Sequence, residues 1–329
     1  MPSNTYSGKQ FEAYIGLTEN ANLGAPAVNG SDTLYKLRLA SVDDIDFTAG
    51  VQVADVERSG QRVLRPTDHI AVRGGGSYTW SFSDYAVENE AVLQLLLQLV
   101  SEDTSPDATV EITGKQATVQ YIEGETTGEY AYVVISSPDT DKDRLMHSAV
   151  LTELTLSMDS GTNGGRLMAS GTFYSGFRPK IDTESTAPDS TAVDYDRGLF
   201  YCTTNELGGS SVILKSFSVT ITNPCVRTGF AIVNTHEGEP QSYNRGGQIG
   251  VNGTINVKMD DNSVATVDDF LSGSSKNISV GDGSAIDFDI PTAKYTGHTL
   301  SSDEAGVFIE LPFIGTADGS GKLITIIAT

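Results

Sequence analysis

Apolar and polar residues alternate along much of the chain. Tyr78, Trp80 and Phe82 alternate with Thr79, Ser81 and Ser83. From Val150 to Met158, one set holds Val150, Thr152, Leu154, Leu156 and Met158, and the other Leu151, Glu153, Thr155 and Ser157. Phe217, Val219 and Ile221 alternate with Ser218, Thr220 and Thr222. A period of two predicts strands that bury one sheet face and leave the other to solvent or a partner. The pattern changes at Ala86 to Val100, where Val87, Ala91, Leu95 and Leu99 form a helical stripe that Ser83 or Asp84 would cap. Ser101 to Pro106 ends this helix. A shorter helix is predicted after Ser263 as its cap, with Val264, Val267, Phe270 and Leu271 facing inward.

The stretch from Pro179 to Asp196 is polar, acidic and holds two prolines, which predicts a linker. The expected division is a first domain over 1–178, a linker over 179–196 and a second domain over 197–329. At one ungapped offset Leu37 falls on Leu214, Ser41 on Ser218, Val42 on Val219, Gly76 on Gly253, Asp84 on Asp261 and Val87 on Val264. Few aligned pairs are identical, but the order strand, long hairpin, Gly-led strand and capped helix repeats. Each half also closes on a hairpin, one turning at Asp159 to Gly165 and the other around Asp318 to Gly321. Gly, Asn and Asp supply the positive φ such turns need. The reading is a duplicated domain.

With 38% hydrophobic and 19% charged residues, and 34 glycines, the chain suits an ordered, turn-rich β protein. Its net charge of −22 repels phosphates and disfavours tight nucleic-acid binding. Acidity of this kind serves either a conduit that must not hold DNA or plain solubility. The start, Met1 to Thr5, has no basic region followed by an apolar one, so synthesis in a cytoplasm is expected. Ala86 to Val100 is too short and polar to span a membrane. Cys202 and Cys225 can pair if their strands are neighbours; free buried thiols are the reading that suits a reducing cytosol.

Catalytic constellations are missing from the sequence. His69, His147, His236 and His298 have no metal-ligand spacing. No G-x-S-x-G elbow or P-loop occurs, and Gly74-Gly75-Gly76 leads into a strand, which suits a bulge or a close backbone approach better than a phosphate cradle. Asp139, Asp141 and Asp143 begin like a calcium loop, but Arg144 and Val150 stand where the turn glycine and the bidentate glutamate belong. No cofactor, metal site or catalytic residue is expected, and the chain is read as a non-enzyme.

Taken together, Leu34 to Leu99, Ser148 to Tyr174, Ser216 to Leu271 and Val307 to Ile327 resemble the major tail tube proteins of siphophages. The segments His147 to Met158, with the Gly-rich turn that follows, and Ser216 to Asn223 carry most of the likeness. The resemblance implies a mainly β protein with two tandem β-sandwich or barrel domains, each with one flanking α-helix. It implies a virion tail subunit, made in the host cytoplasm, whose strands join those of its neighbours into a tube. Two domains per chain would let a homotrimer close a pseudo-hexameric ring. The implied partners are other copies of the chain, a tape-measure protein, terminator and tip proteins, and phage DNA passing through the lumen without tight binding. No membrane is involved. Thr79, Ser81, Ser218, Thr220 and Thr222 are the expected lumen lining. The segment from Asp44 to Thr67 is a possible inter-ring arm, with Arg58, Arg62 and Arg65 meeting acidic groups of the next ring; a solvated hairpin is the other reading. Capsid decoration proteins, fibres, surface-layer modules and carbohydrate-binding sandwiches are the alternatives.

Overall fold

The computed structural model describes residues 11–17, 34–45, 51–55, 69–73, 77–101, 109–113, 120–122, 130–138, 142–182, 197–227, 242–245, 247–283 and 285–329. The fold is mainly β and antiparallel. The first half holds strands β1 (Glu12–Leu17), β2 (Tyr35–Leu37), β3 (Val51–Asp55), β4 (His69–Arg73) and β5 (Tyr78–Ala86). Helix α1 (Glu90–Ser101) follows, then β6 (Thr109–Thr113), β7 (Gln120–Ile122), β8 (Ala131–Ser136), β9 (Asp143–Asp159), β10 (Met168–Ser175) and β11 (Lys180–Asp182). The second half begins with β12 (Thr204–Leu207), β13 (Ser210–Ser211), β14 (Leu214–Thr222), β15 (Val226–Arg227), β16 (Ser242–Asn244) and β17 (Gly250–Lys258). Two short helices, α2 (Asp261–Val264) and α3 (Thr266–Ser272), precede β18 (Ser275–Gly281), β19 (Ile286–Tyr295), β20 (Thr299–Asp303), β21 (Gly306–Gly315) and β22 (Lys322–Ala328).

Seven of these strands form an uninterrupted antiparallel run in the order β5-β10-β9-β14-β17-β21-β20. Its inner face buries Trp80, Phe82, Leu154, Leu156, Phe173, Phe217, Val219, Ile255 and Phe313. The far end of β21 turns onto β19, and β12, β18, β22 and β6 extend that second layer over the core. Phe217 packs on Phe288 of the covering layer with ring centroids 5.1 Å apart. A third group of strands, β2-β1-β8, is carried by the N-terminal part of β9, which also holds β11. The long strand β9 therefore serves two layers. It changes partners next to Ser148, whose φ of 48° is rare for a residue with a side chain.

The predicted strands form, with one correction. In β9 a register shift opposite Thr172 and Phe173 places Leu151 in the core, and the strict alternation starts only at Glu153. Thr152 is taken up by this bulge and donates its hydroxyl to the Thr172 carbonyl at 3.0 Å. The first helix also starts later than predicted. Asp84, at φ 53°, sits in a bulge that keeps residues up to Ala86 in β5, and its backbone N–H donates to Ser170 Oγ at 3.2 Å. The cap is Asn89, whose Oδ1 accepts from Ala91 N at 2.8 Å and Val92 N at 3.3 Å. Ser83 and Asp84 do not cap α1. The helix is buried on most of its circumference, not along a single stripe.

The second predicted helix is broken in two at Ala265. Asp260 is its cap, in a capping box with Ser263, so Ser263 lies at the third helical position and not at the cap. Val264 and Leu271 point outward, Leu271 being 74% exposed; Ser263 and Thr266 are the buried residues, and Phe270 packs against the core's edge. Both cysteines are free thiols, Cys202 half-buried and Cys225 buried.

Among the described residues three strand pairs cross between the halves: β9 with β14, β6 with β22, and β7 with β16. Side chains reinforce them. Asn223 Nδ2 donates to the Val100 carbonyl at 2.8 Å, and Arg245 Nη2 donates to Leu99 at 3.1 Å, so second-half residues satisfy the last carbonyls of α1. Arg245, only 5% exposed, also donates through Nη1 to Leu151 and Asn223 at 3.0 and 3.1 Å. Gln94 Nε2 of α1 reaches the Ala328 carbonyl at 2.9 Å. Of the expected linker, Lys180–Asp182 forms β11 against β9, while 183–196 lies outside the described residues.

Candidate functional site

The outer face of the seven-stranded run is built by the same alternation that builds the core. Each residue beside a buried one points the other way. Ser81 stands opposite Thr172, Thr172 opposite Glu153, and Glu153 opposite Thr222. The next row runs Ser170, Thr155, Thr220 and Asn252, and the row after it Ser157, Ser218 and Thr254. A fourth row runs Asp159, Ser216, Asn256, Glu310 and Thr299. The middle of the face is therefore mostly hydroxyl and amide, with carboxylates at Glu153, Asp159 and Glu310, while Pro312 and the exposed Ile314 continue the rows on β21 and Lys258 stands at the end of β17.

Two hydroxyl pairs tie neighbouring strands on this face. Ser81 Oγ lies 3.0 Å from Thr172 Oγ1, and Thr155 Oγ1 lies 2.8 Å from Thr220 Oγ1. Cross-strand pairs of this sort add to sheet stability and hold register. The second pair sits on the junction of the two halves. Thr79 and Ser81 are exposed, and Ser218, Thr220 and Thr222 are half-buried.

All five residues expected to form a lining, Thr79, Ser81, Ser218, Thr220 and Thr222, thus fall on one face of one sheet. Glu153, Thr155, Ser157, Thr172, Asn252, Thr254 and Asn256 share it. Their alternation is visible in the sequence, but their adjacency depends on pairing between distant strands. The hairpin base of the expected arm is present as β3 and β4, paired from Val51 with Arg73 to Asp55 with His69. Arg58, Arg62 and Arg65 lie outside the described residues, as do Gly74 to Gly76.

The borders of the run are unpaired among the described residues. β5 bonds only to β10, and β20 only to β21. A row of unpaired backbone N–H and C=O groups is a template for another strand.

Titratable groups are perturbed by burial and local bonding. Asp287 is held above the usual carboxylate range by burial and by the neighbouring Asp282 and Asp289, against a hydrogen bond from Gly283. The Cys202 thiol is pushed up to about 12 by burial and by Asp282 and Asp287. Asp318 is lowered by the Ser320 hydroxyl and backbone N–H groups in its turn. His147 packs on Phe177 at 5.4 Å in the interior. Among the described residues no group of three His, Cys, Asp or Glu side chains is placed to hold a metal, and no helix is long and apolar enough to cross a membrane.

The fold is that of a mainly β protein whose broadest feature is one largely polar outer sheet face, with border strands that are unpaired among the described residues. The family model for phage tail tube protein matches residues 16–322, nearly the whole chain. The chain belongs to the phage tail tube protein family, a family of structural proteins of the virion tail. No curated protein matches the sequence.

Proposed function

We propose that this chain is the major tail tube subunit of a long non-contractile phage tail, and that the outer face of the seven-stranded run lines the DNA-conducting lumen. The observation that carries the reading is a broad, largely polar outer face on a sheet whose border strands are unpaired among the described residues. Hydroxyl and amide groups hydrate well and offer no fixed positive charge to hold phosphates, so DNA slides past such a wall. The carboxylates of the face and the net charge of −22 repel it further.

Copies join where β5 of one chain meets the β20 border of the next, and a closed ring removes both edges. The two halves are a duplicated domain, so three chains close a pseudo-hexameric ring, and rings stack into the tube. Tape-measure, terminator and tip proteins complete the tail. Electron microscopy of the purified chain tests this directly. Hollow tubes with threefold chain symmetry are expected. A monodisperse monomer at high concentration, or a solid fibre, refutes it.

A further inference from the structure

We infer that Phe200 and Tyr201, with the arginine-lined cavity beside them, form a docking surface for a second copy of this chain, stacked end-on along the strands. The inference rests on the tube reading and names one surface by which rings adhere.

The cavity has a volume of about 300 Å³ and is lined by Gly164, Arg166, Arg197, Gly198, Phe200 and Tyr201, among others. It lies at the end of the seven-stranded run, where β9 turns into β10 and where Ser160 N donates to the Lys215 carbonyl at the start of β14. Phe200 is 88% exposed, an unusual state for a large aromatic residue.

This exposure does not arise from a loose loop. Leu199 packs against the core on one side of Phe200, and Cys202 does so on the other. The turn is closed by Tyr201 N to Gly198 O at 3.0 Å and Cys202 N to Leu199 O at 3.1 Å. Arg166 bridges Gly198, and Leu167 N donates to Arg197 O at 2.8 Å. A Cβ at Gly198 would overlap the Gly165 carbonyl, so the two segments touch backbone to backbone. Phe200 and Tyr201 meet edge to face at 5.6 Å. A rigid aromatic pair flanked by arginines loses little entropy on binding, and aromatic and Arg residues lead the energetics of protein interfaces.

Charge and position identify the occupant. Arg166 faces Glu88 and Arg197 faces Asp282, each at the long distance of 3.9 Å, and both arginine side chains stay partly open to solvent. Each guanidinium group keeps its carboxylate partner in the chain and, being partly open, has further N–H donors to offer a carboxylate of a second copy at the cavity mouth. Further along the same end, Ile213, Met259 and Val307 are exposed and joined by Lys258 N to Ile213 O and Met259 N to Val307 O, both 2.8 Å. This apolar rim caps β14, β17 and β21 and faces along the strands, towards a copy stacked on the end of the sheet.

The test compares the unaltered chain with Phe200→Ser, Arg197→Glu and Phe200→Tyr by electron microscopy and sedimentation, with circular dichroism to verify folding. Phe200→Ser removes only an exposed ring, so the fold persists. Phe200→Ser and Arg197→Glu should each yield rings with mean tube length reduced about tenfold or more, while Phe200→Tyr keeps long tubes. Tubes of normal length in both disruptive variants overturn the docking surface and leave the tube reading standing. If the unaltered chain forms neither rings nor tubes, the tube reading fails and the docking surface with it.

Discussion

Replacing Arg245 by methionine should test whether the two halves fold as one unit. The guanidinium group donates to the carbonyls of Leu99, Leu151 and Asn223 at 3.0 to 3.1 Å. Two of these acceptors belong to the first half, one at the end of α1 and one in β9. A hydrogen bond to a charged group is worth about 1.5 to 3 kcal/mol, but burying the charge opposes the sum. Removing one side of a buried charged arrangement costs about 3 to 5 kcal/mol, and methionine fills much of the vacated volume, so a loss of about 3 kcal/mol is expected. The only tryptophan, Trp80, is buried in β5 of the first half, remote in sequence from the altered residue. Urea unfolding followed by its fluorescence therefore reads the effect across the junction. In the unaltered chain the fluorescence and far-ultraviolet dichroism transitions should coincide. A loss below about 1 kcal/mol at Trp80, or a dichroism transition that shifts while the Trp80 transition stays in place, would falsify the coupling.

Other outcomes follow from single positions. Gly253→Ala places a Cβ into the Ser218 carbonyl and under the Phe313 ring, so stability should fall by about 1 to 3 kcal/mol by calorimetry, whereas Gly209, with nothing near its Cβ position, is open to substitution apart from its positive φ. Asp287 has a raised carboxyl, so the folded state binds its proton more tightly than the unfolded chain; stability through this group rises as pH falls through the raised value and is lowered at neutral pH. Asp287→Asn should therefore raise the melting temperature at pH 7, with the gain vanishing as pH drops into the carboxylate range; a gain constant with pH would contradict the assignment. With its thiol pushed up to about 12, Cys202 holds almost no thiolate at pH 8, and Cys225 is buried. Thiol reagents should label the folded chain slowly and both cysteines rapidly in denaturant.

Much of the polar face was legible because a strand's alternation is local. Thr79, Ser81, Ser218, Thr220 and Thr222 needed only the residues beside them. Turn chemistry was equally local, and Asn163, Gly164 and Gly165 do adopt positive φ. The helix boundaries were less legible because two signals competed at Ser83 to Asn89. Asp84 looked like a cap, yet its left-handed backbone serves a bulge whose partner, Ser170, lies far away in sequence. Arg245 sits in the polar run Tyr243-Asn244-Arg245-Gly246-Gly247, which reads as a solvated loop. Only the approach of α1 and β9 turns it into a buried clamp. Leu271 failed in the opposite sense, since the break at Ala265 rotates α3 and leaves that side chain outside.

The order of the polar face follows from the order of the core beneath it. Leu156 opposes Val219 and Leu154 opposes Ile221 across β9 and β14, and all four are fully buried. A slip of one residue would expose that set and bring Thr155 and Thr220 inside, so burial fixes the register and the hydroxyl rows come with it. The halves are therefore held in a geometry in which their outer faces form one surface, with no step at the junction. The same constraint does not reach the borders: β5 has a core face and β20 is exposed along its whole length, and neither has an outer neighbour among the described residues. A strand from another copy added beside β5 extends both the buried face and the polar rows in register, because the alternation that sets one sets the other. Assembly through these borders would thus continue the wall that each chain has already begun.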